Sequence, residues 1–228
     1  MSAEARRRAY LKTLEIDVYT VRGQDAISGI VDETTDAADD SSPGWDTLRQ
    51  KVVACNRCTL HQTRSQTVFG VGSESADWMI IGEAPGAEED RRGEPFVGRA
   101  GKLLDEMLRA VSLARDSVFI TNILKCRPPN NRDPANDEAA SCRSYLDRQI
   151  ELISPKIILA VGRIAAQHLL ETDAPLGRLR GQKYDLGDRQ IPVIVTYHPA
   201  YLLRSPTQKR KAWQDLCLAR QVMEERSE

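Results

Sequence analysis

Four apolar runs of strand length stand out along the chain, over residues 78–82, 117–122, 156–162 and 191–197. Each is followed by a loop and then by a stretch in which apolar residues recur with a spacing near 3.6. Leu103, Leu104, Met107, Leu108 and Val111 show that spacing within 100–112, and similar patterns cover 136–153 and 163–171. Regular alternation of short apolar strands with amphipathic helices predicts an α/β fold in which a central four-stranded parallel sheet is sandwiched between helices. Pro and Gly clusters separate the elements.

The pattern fails over residues 24–47. Seven acids and no Lys or Arg fall in this stretch, Asp25, Asp32, Glu33, Asp36, Asp39, Asp40 and Asp46, among Ser, Thr, Ala and Gly. Too few large apolar groups are present to offset the entropy of ordering it, so it reads as a flexible linker. Residues 1–44 are therefore assigned to a short helix around Tyr10, Leu11 and Leu14 plus the acidic linker, and 45–228 to the main domain. The formal charge of the 228-residue chain is −1, but without the acidic segment it becomes +6, and a basic body suits a polyanionic partner. No apolar run approaches the ~20 residues that cross a bilayer, and Arg6, Arg7 and Arg8 are not followed by the apolar core of a secretory leader. The expected setting is the reducing cytoplasm.

Five cysteines in such a setting point to ligation rather than to disulfides. Cys55 and Cys58 form a C-x2-C pair, and Cys126 and Cys142 follow, so four thiolates can meet at one centre. Soft sulfur ligands suit both tetrahedral zinc and a [4Fe–4S] cluster, and the spacing leaves the two open. Cys217 lies among Trp213, Leu216 and Leu218, where core packing is the favoured reading.

The polar residues that carry chemistry sit just past the predicted strand ends, the edge at which open α/β sheets bind ligands. Gly82-Glu83-Ala84-Pro85-Gly86 opens a glycine-punctuated loop that runs to Gly101 and contains Phe96. Thr121-Asn122 and Tyr197-His198-Pro199 close two other strands. The loop has neither the Walker spacing nor G-x-G-x-x-G, which removes support for a nucleoside triphosphate or a dinucleotide. Phe96 is placed either to stack on a planar ligand or to plug the core beneath the loop.

Three segments together, the loop over 82–101, Thr121-Asn122-Ile123-Leu124-Lys125-Cys126-Arg127-Pro128-Pro129, and His198-Pro199-Ala200-Tyr201-Leu202-Leu203-Arg204, with the four-cysteine spacing, resemble the family 4 uracil-DNA glycosylases. The resemblance spans about residues 45–220. It implies a three-layer α/β/α fold, a [4Fe–4S] cluster on Cys55, Cys58, Cys126 and Cys142, and a part in DNA repair. Phe96 would then be the floor on which a flipped-out base stacks. The carboxamide of Asn122 would accept from uracil N3–H and donate to O4, a pattern that cytosine reverses. His198 would donate to O2 as the departing base gains charge. Glu83 or one of the acidic run Glu88, Glu89 and Asp90 would position the attacking water, as a general base or a cation-stabilising carboxylate. Ala84 stands where family 1 enzymes carry an aspartate, Leu202 would wedge into the duplex, and Arg204 belongs to a basic group with Arg178, Arg180, Lys183, Lys209, Arg210 and Lys211 that can track phosphates.

Two rivals share the fold. Irreversible capture of uracil DNA through a histidine in an inserted basic loop finds no counterpart here, since no histidine lies between Asn122 and Cys142. A DNA-binding accessory module without catalysis would leave Phe96, Asn122 and His198 without a purpose. The expectation is a monofunctional glycosylase that releases uracil from single- and double-stranded DNA and leaves an abasic site. Uracil-containing DNA is the expected partner, a sliding clamp or a polymerase is a further partner class, a membrane is not, and the chain is expected to be a monomer.

Overall fold

The computed structural model describes residues 44–226. The helix expected over 2–15 and most of the acidic stretch lie outside them. The last residues of that stretch do not form a linker: Asp46 lies in the first turn of α1 (Trp45–Val53), where a carboxylate suits the positive end of the helix dipole.

Among the described residues six strands form one sheet, β1 (Val71–Gly72), β2 (Trp78–Gly82), β3 (Phe119–Asn122), β4 (Ile157–Val161), β5 (Lys183–Leu186) and β6 (Ile191–Thr196), in the order β1-β3-β2-β4-β6-β5. The four central strands are parallel, as expected. Antiparallel β1 and β5 extend the sheet at its two edges, so it is six-stranded and mixed. Neither edge carries a strong apolar signal. β1 has two residues, and β5 reads Lys-Tyr-Asp-Leu with alternate side chains exposed. The third strand also starts later than expected, because the Ser117 hydroxyl closes a turn onto the Ala114 carbonyl at 2.8 Å.

Every residue of β2, β3, β4 and β6 is buried, which is why these runs read as continuous rather than alternating. Period-two geometry nevertheless sorts the side chains between two cores. Met79, Ile81, Phe119, Ile158, Ala160, Val193 and Val195 face a core shared with α1, α4 (Asn136–Ile153) and α5 (Arg163–Leu170). Trp78, Ile80, Ile120, Ile157, Leu159, Val161 and Ile194 face the other, closed by α3 (Arg99–Ala110), α7 (Pro199–Arg204) and α8 (Lys209–Glu225). Two further α-helices among the described residues are short, α2 (Ala87–Arg92) in the glycine loop and α6 (Leu176–Leu179) before β5. Cys217 is exposed on α8 rather than packed in the core, since Leu216 and Ala219 supply the buried stripe of that helix.

The chain leaves β2 to build β3 on one side and then crosses to β4 on the other, so its direction switches beside β2. Gly82 pairs with Asn122 across β2 and β3, and Val161 with Thr196 across β4 and β6. The carboxyl ends are therefore level, and the loops that follow open onto one edge.

Candidate active site

A cleft of about 450 Å³ opens at that edge, and its walls include Glu83, Ala84, Glu89, Phe96, Asn122, His198 and Arg204. A larger open groove of about 710 Å³ lies elsewhere, between α4 and the β5–β6 hairpin, and contains none of these residues. The first cleft brings three separate sequence segments together.

Phe96 has a left-handed backbone, φ 53°, and is 6 % exposed; its ring is stacked on that of His198, inclined by 29° with centroids 5.6 Å apart. Its place depends on Gly82 and Gly101, the two glycines that bound the loop. Any Cβ on Gly101 would strike the Phe96 carbonyl, and one on Gly82 would strike both Asn122 Oδ1 and Phe96 Cζ. Gly162, with φ +101°, gives the same clearance to His198, whose Cβ a methyl group there would meet at 3.1 Å.

His198 caps α7, its Nδ1 accepting from the Ala200 amide at 3.1 Å. Burial, and then Arg204, lower its pKa to about 4, so the imidazole is neutral near pH 7. A neutral ring that accepts at Nδ1 carries its proton on Nε2, which makes that nitrogen a donor.

The acids of the glycine loop separate by what they touch. Glu88 is exposed and pairs with Arg91 at 2.6 Å. Asp90 is buried and accepts from the Ser65 amide at 2.9 and 3.1 Å. Glu89 Oε1 accepts from the amides of Val97 and Gly98 at 3.0 and 3.2 Å, which holds the loop beside Phe96 in place. Glu83 is different. Burial raises its pKa to about 7, with Asp133 adding to the rise and Arg163 opposing it. Arg163 and Asp133 themselves pair at 2.6 Å.

Two expected contacts are corrected. Leu202 is 1 % exposed and packs into the core under α7 with Leu104, Leu108 and Leu216, so it cannot reach a duplex without unfolding the helix; Tyr201, 36 % exposed, lines the cleft instead. Arg180 does not track phosphates, because it forms a buried ion pair with Asp215 at 2.7 Å and lies 4.3 Å above the Tyr197 ring. Arg204, Lys209, Arg210 and Lys211 are exposed. Pro128 of the segment 121–129 lines a further wall together with Asn131 and Arg132, which lie just beyond that segment. The sequence signal of this wall is the turn-forming Pro-Pro-Asn-Asn stretch, and Arg132 is anchored there by Glu138 at 2.5 and 2.8 Å.

On the α1–α4 side, Cys55, Cys58, Cys126 and Cys142 line one small cavity, with Arg57, His61, Arg64 and Tyr145. Donors are directed at the sulfurs: Arg64 Nη1 to Cys126 Sγ at 3.0 Å, and the Lys125 amide to Cys142 Sγ at 3.4 Å. Burial raises the Cys126 thiol to about 11 and raises Cys142 as well, so these thiols keep their protons unless a cation displaces them. Among the described residues no three ligand side chains stand close enough for one metal ion. Four cysteines around a common cavity, with cationic and amide donors directed at sulfur, are nonetheless the donor set of a thiolate-bound metal group.

A family model for the uracil DNA glycosylase superfamily matches residues 69–217. The chain is 46 % identical over 167 residues to the type-4 uracil-DNA glycosylase of Archaeoglobus fulgidus, an alignment covering 71 % of this chain and 84 % of that protein. It is 43 % identical over 182 residues to the type-4 enzyme of Sulfurisphaera tokodaii (77 % and 83 % covered). With that of Pyrobaculum aerophilum it shares 42 % identity over 177 residues (75 % and 90 % covered). Sheet order, strand-end cleft and these likenesses agree: the chain belongs to the uracil DNA glycosylase superfamily, alongside its type-4 members.

Proposed function

We propose that this protein hydrolyses the N-glycosidic bond of uracil in DNA, leaving an abasic site. The observation that carries the reading is the convergence of Phe96, Asn122, His198 and Glu83 on one cleft. A base inside a duplex is out of reach, so the nucleotide is extruded and its uracil stacks on Phe96. Asn122 accepts from N3–H and donates to O4. Cleavage of C1′–N1 leaves the bonding pair on the ring, and the Nε2–H of neutral His198 donates to O2 where that charge gathers. Glu83 takes a proton from the water that adds to C1′, and uracil regains a proton from solvent. Incubation with an oligonucleotide holding one uracil, followed by alkali, is expected to break the strand at that position; an intact strand removes the reading. Breakage without alkali would instead indicate a lyase.

With its pKa raised to about 7, Glu83 is expected to produce a pH limb in the rate. A raised carboxyl pKa means that the active carboxylate is lost as pH falls through about 7. The single-turnover rate is therefore expected to rise with pH through that value and level above it. Glu83→Gln is expected to flatten the limb and lower the plateau by roughly 10²-fold. A limb that survives unchanged in the variant assigns it to another group. Glu89 serves as a positioning residue for the Phe96 loop rather than as the base.

Tyr201, not Leu202, fills the space that the base vacates. Tyr201→Ala is expected to slow excision from duplex several-fold more than from single strands, because only the duplex has a stack to hold open. Leu202→Ala is expected to lower stability by about 2–5 kcal/mol through the cavity it creates, with little preference between substrates.

The four cysteines are assigned to a [4Fe–4S] cluster. When bound, it supplies a covalent tie between the C-x2-C segment, the β3 loop and α4. Purified protein is expected to carry about four iron and four sulfide per chain; zinc in their place overturns the assignment.

A further inference from the structure

Lys125 lies between the cysteine cavity and the cleft, and it is only 1 % exposed. Burying an ammonium is costly unless each of its donors is met, and a position that needed only bulk would be served better by Met or Leu. Here all three donors are used: Nζ donates to Thr121 Oγ1 at 2.6 Å, to the Asn122 carbonyl at 2.8 Å and to Gln149 Oε1 at 2.6 Å. Two of these acceptors belong to the last two residues of β3. The third, Gln149, is fully buried on α4 and donates to the Phe69 carbonyl at 2.9 Å, which also accepts from the Thr121 hydroxyl at 2.9 Å.

The main chain of the same residue is tied elsewhere. Its amide donates to Cys142 Sγ, and its carbonyl accepts from the Val68 amide at 2.8 Å. The amides of Ile123 and Leu124 donate to the carbonyls of Gly82 and Glu83 at 2.9 and 3.1 Å, so the loop from Asn122 to Lys125 is also stitched to the strand end that carries Glu83. The side chain turns back three residues and grips the peptide of Asn122.

We propose that Lys125 is a positioning residue for Asn122, fixing the carbonyl of its peptide so that the carboxamide meets the edge of uracil in one orientation. The proposal rests on the role of Asn122 given above. Base recognition then depends on a side chain that never touches the base. Without the ammonium, the Asn122 carbonyl and Gln149 Oε1 are left buried and short of a partner, and the strand end is free to shift.

A double-mutant cycle tests this. Lys125→Met is expected to lower single-turnover uracil release about 10-fold and to weaken binding of free uracil, measured by calorimetry, by a similar factor. In an Asn122→Ala background the same change is expected to cost almost nothing further, because the group being positioned is gone. Gln149→Leu, which removes one acceptor and leaves the lysine in place, is expected to give a smaller loss that also vanishes in that background; it carries the test if Lys125→Met does not fold. An undiminished rate and affinity in Lys125→Met overturns the proposal. So does the same fold-loss in both backgrounds, since that is the mark of a general structural role. If the unaltered protein releases no uracil but binds the free base, the proposal is judged on calorimetry alone; if it does neither, the functional reading has failed and the positioning role falls with it.

Discussion

His198→Ala is expected to lower the single-turnover rate of uracil release by roughly 10²–10³-fold, the usual consequence of removing one preorganised donor from a developing anion. The argument is in the geometry. The Ala200 amide occupies Nδ1, burial and Arg204 keep the ring neutral, and the remaining N–H is aimed from a residue that lines the cleft. A neutral donor is the better match to an anion of modest basicity held close by, because it need not surrender its proton. His198→Gln retains an N–H of similar reach and is expected to recover part of the loss. Stability gives a check that does not depend on catalysis. The folded-state pKa of about 4 lies below the ordinary 6.5, so the unfolded chain binds the proton more readily. Stability attributable to this residue is therefore present above about 6.5 and is lost as pH falls toward 4. His198→Ala is expected to show a shallower fall in Tm across that window than the unaltered protein. An equally steep fall would mean that the ring is not held neutral, and the donor role would lose its basis.

The same residue shows what a sequence can and cannot convey here. The central strands were legible because runs buried on both faces leave an uninterrupted apolar signature, and the loops after them follow from topology alone. Asn122 and His198 stand at strand ends and Phe96 in the loop that follows one, so topology alone places all three at one edge of the sheet, while the roles expected of them come from the family resemblance. Where the reading failed, the missing information was orientation. Leu202 lies four residues after His198, but in a six-residue helix that spacing does not say which side meets the core. Three acids in a row in α2 look alike in sequence, and only the amides of Ser65, Val97 and Gly98 reveal that two of them serve the loop. Arg180 belongs to a basic cluster by position, yet its partner Asp215 comes from a different element. Edge strands β1 and β5 escaped because their residues are short in number or half polar, and pairing with a neighbour rather than burial makes them strands.

Gly82→Ala is expected to reduce uracil release at least 100-fold while leaving the fold intact, although a single methyl is added to a strand that otherwise welcomes side chains. β2 ends at Gly82, level with Asn122 across the β2–β3 pair. The side of Gly82 that a Cβ would take is already filled by Asn122 Oδ1 and by the edge of the Phe96 ring, with Cζ at 2.6 Å and Cε2 at 2.8 Å from the added carbon. One of the two groups must yield. Phe96 has little freedom, since its left-handed backbone is fixed by Gly101 behind it and by Glu89 through the neighbouring amides. Asn122 is held through its own peptide by Lys125. The strain therefore falls on the two side chains that are to meet a flat base, one across its face and one along its edge, and a shift of about 1 Å in either is enough to lose most of the rate. The expected signature is specific: iron content and helicity unchanged, calorimetric binding of free uracil lost together with turnover, and non-specific affinity for DNA kept, because the exposed cations on α7 and α8 are untouched. Retention of uracil binding in Gly82→Ala would show that the base does not lie between Phe96 and Asn122, and would move the candidate site away from the β2–β3 strand ends.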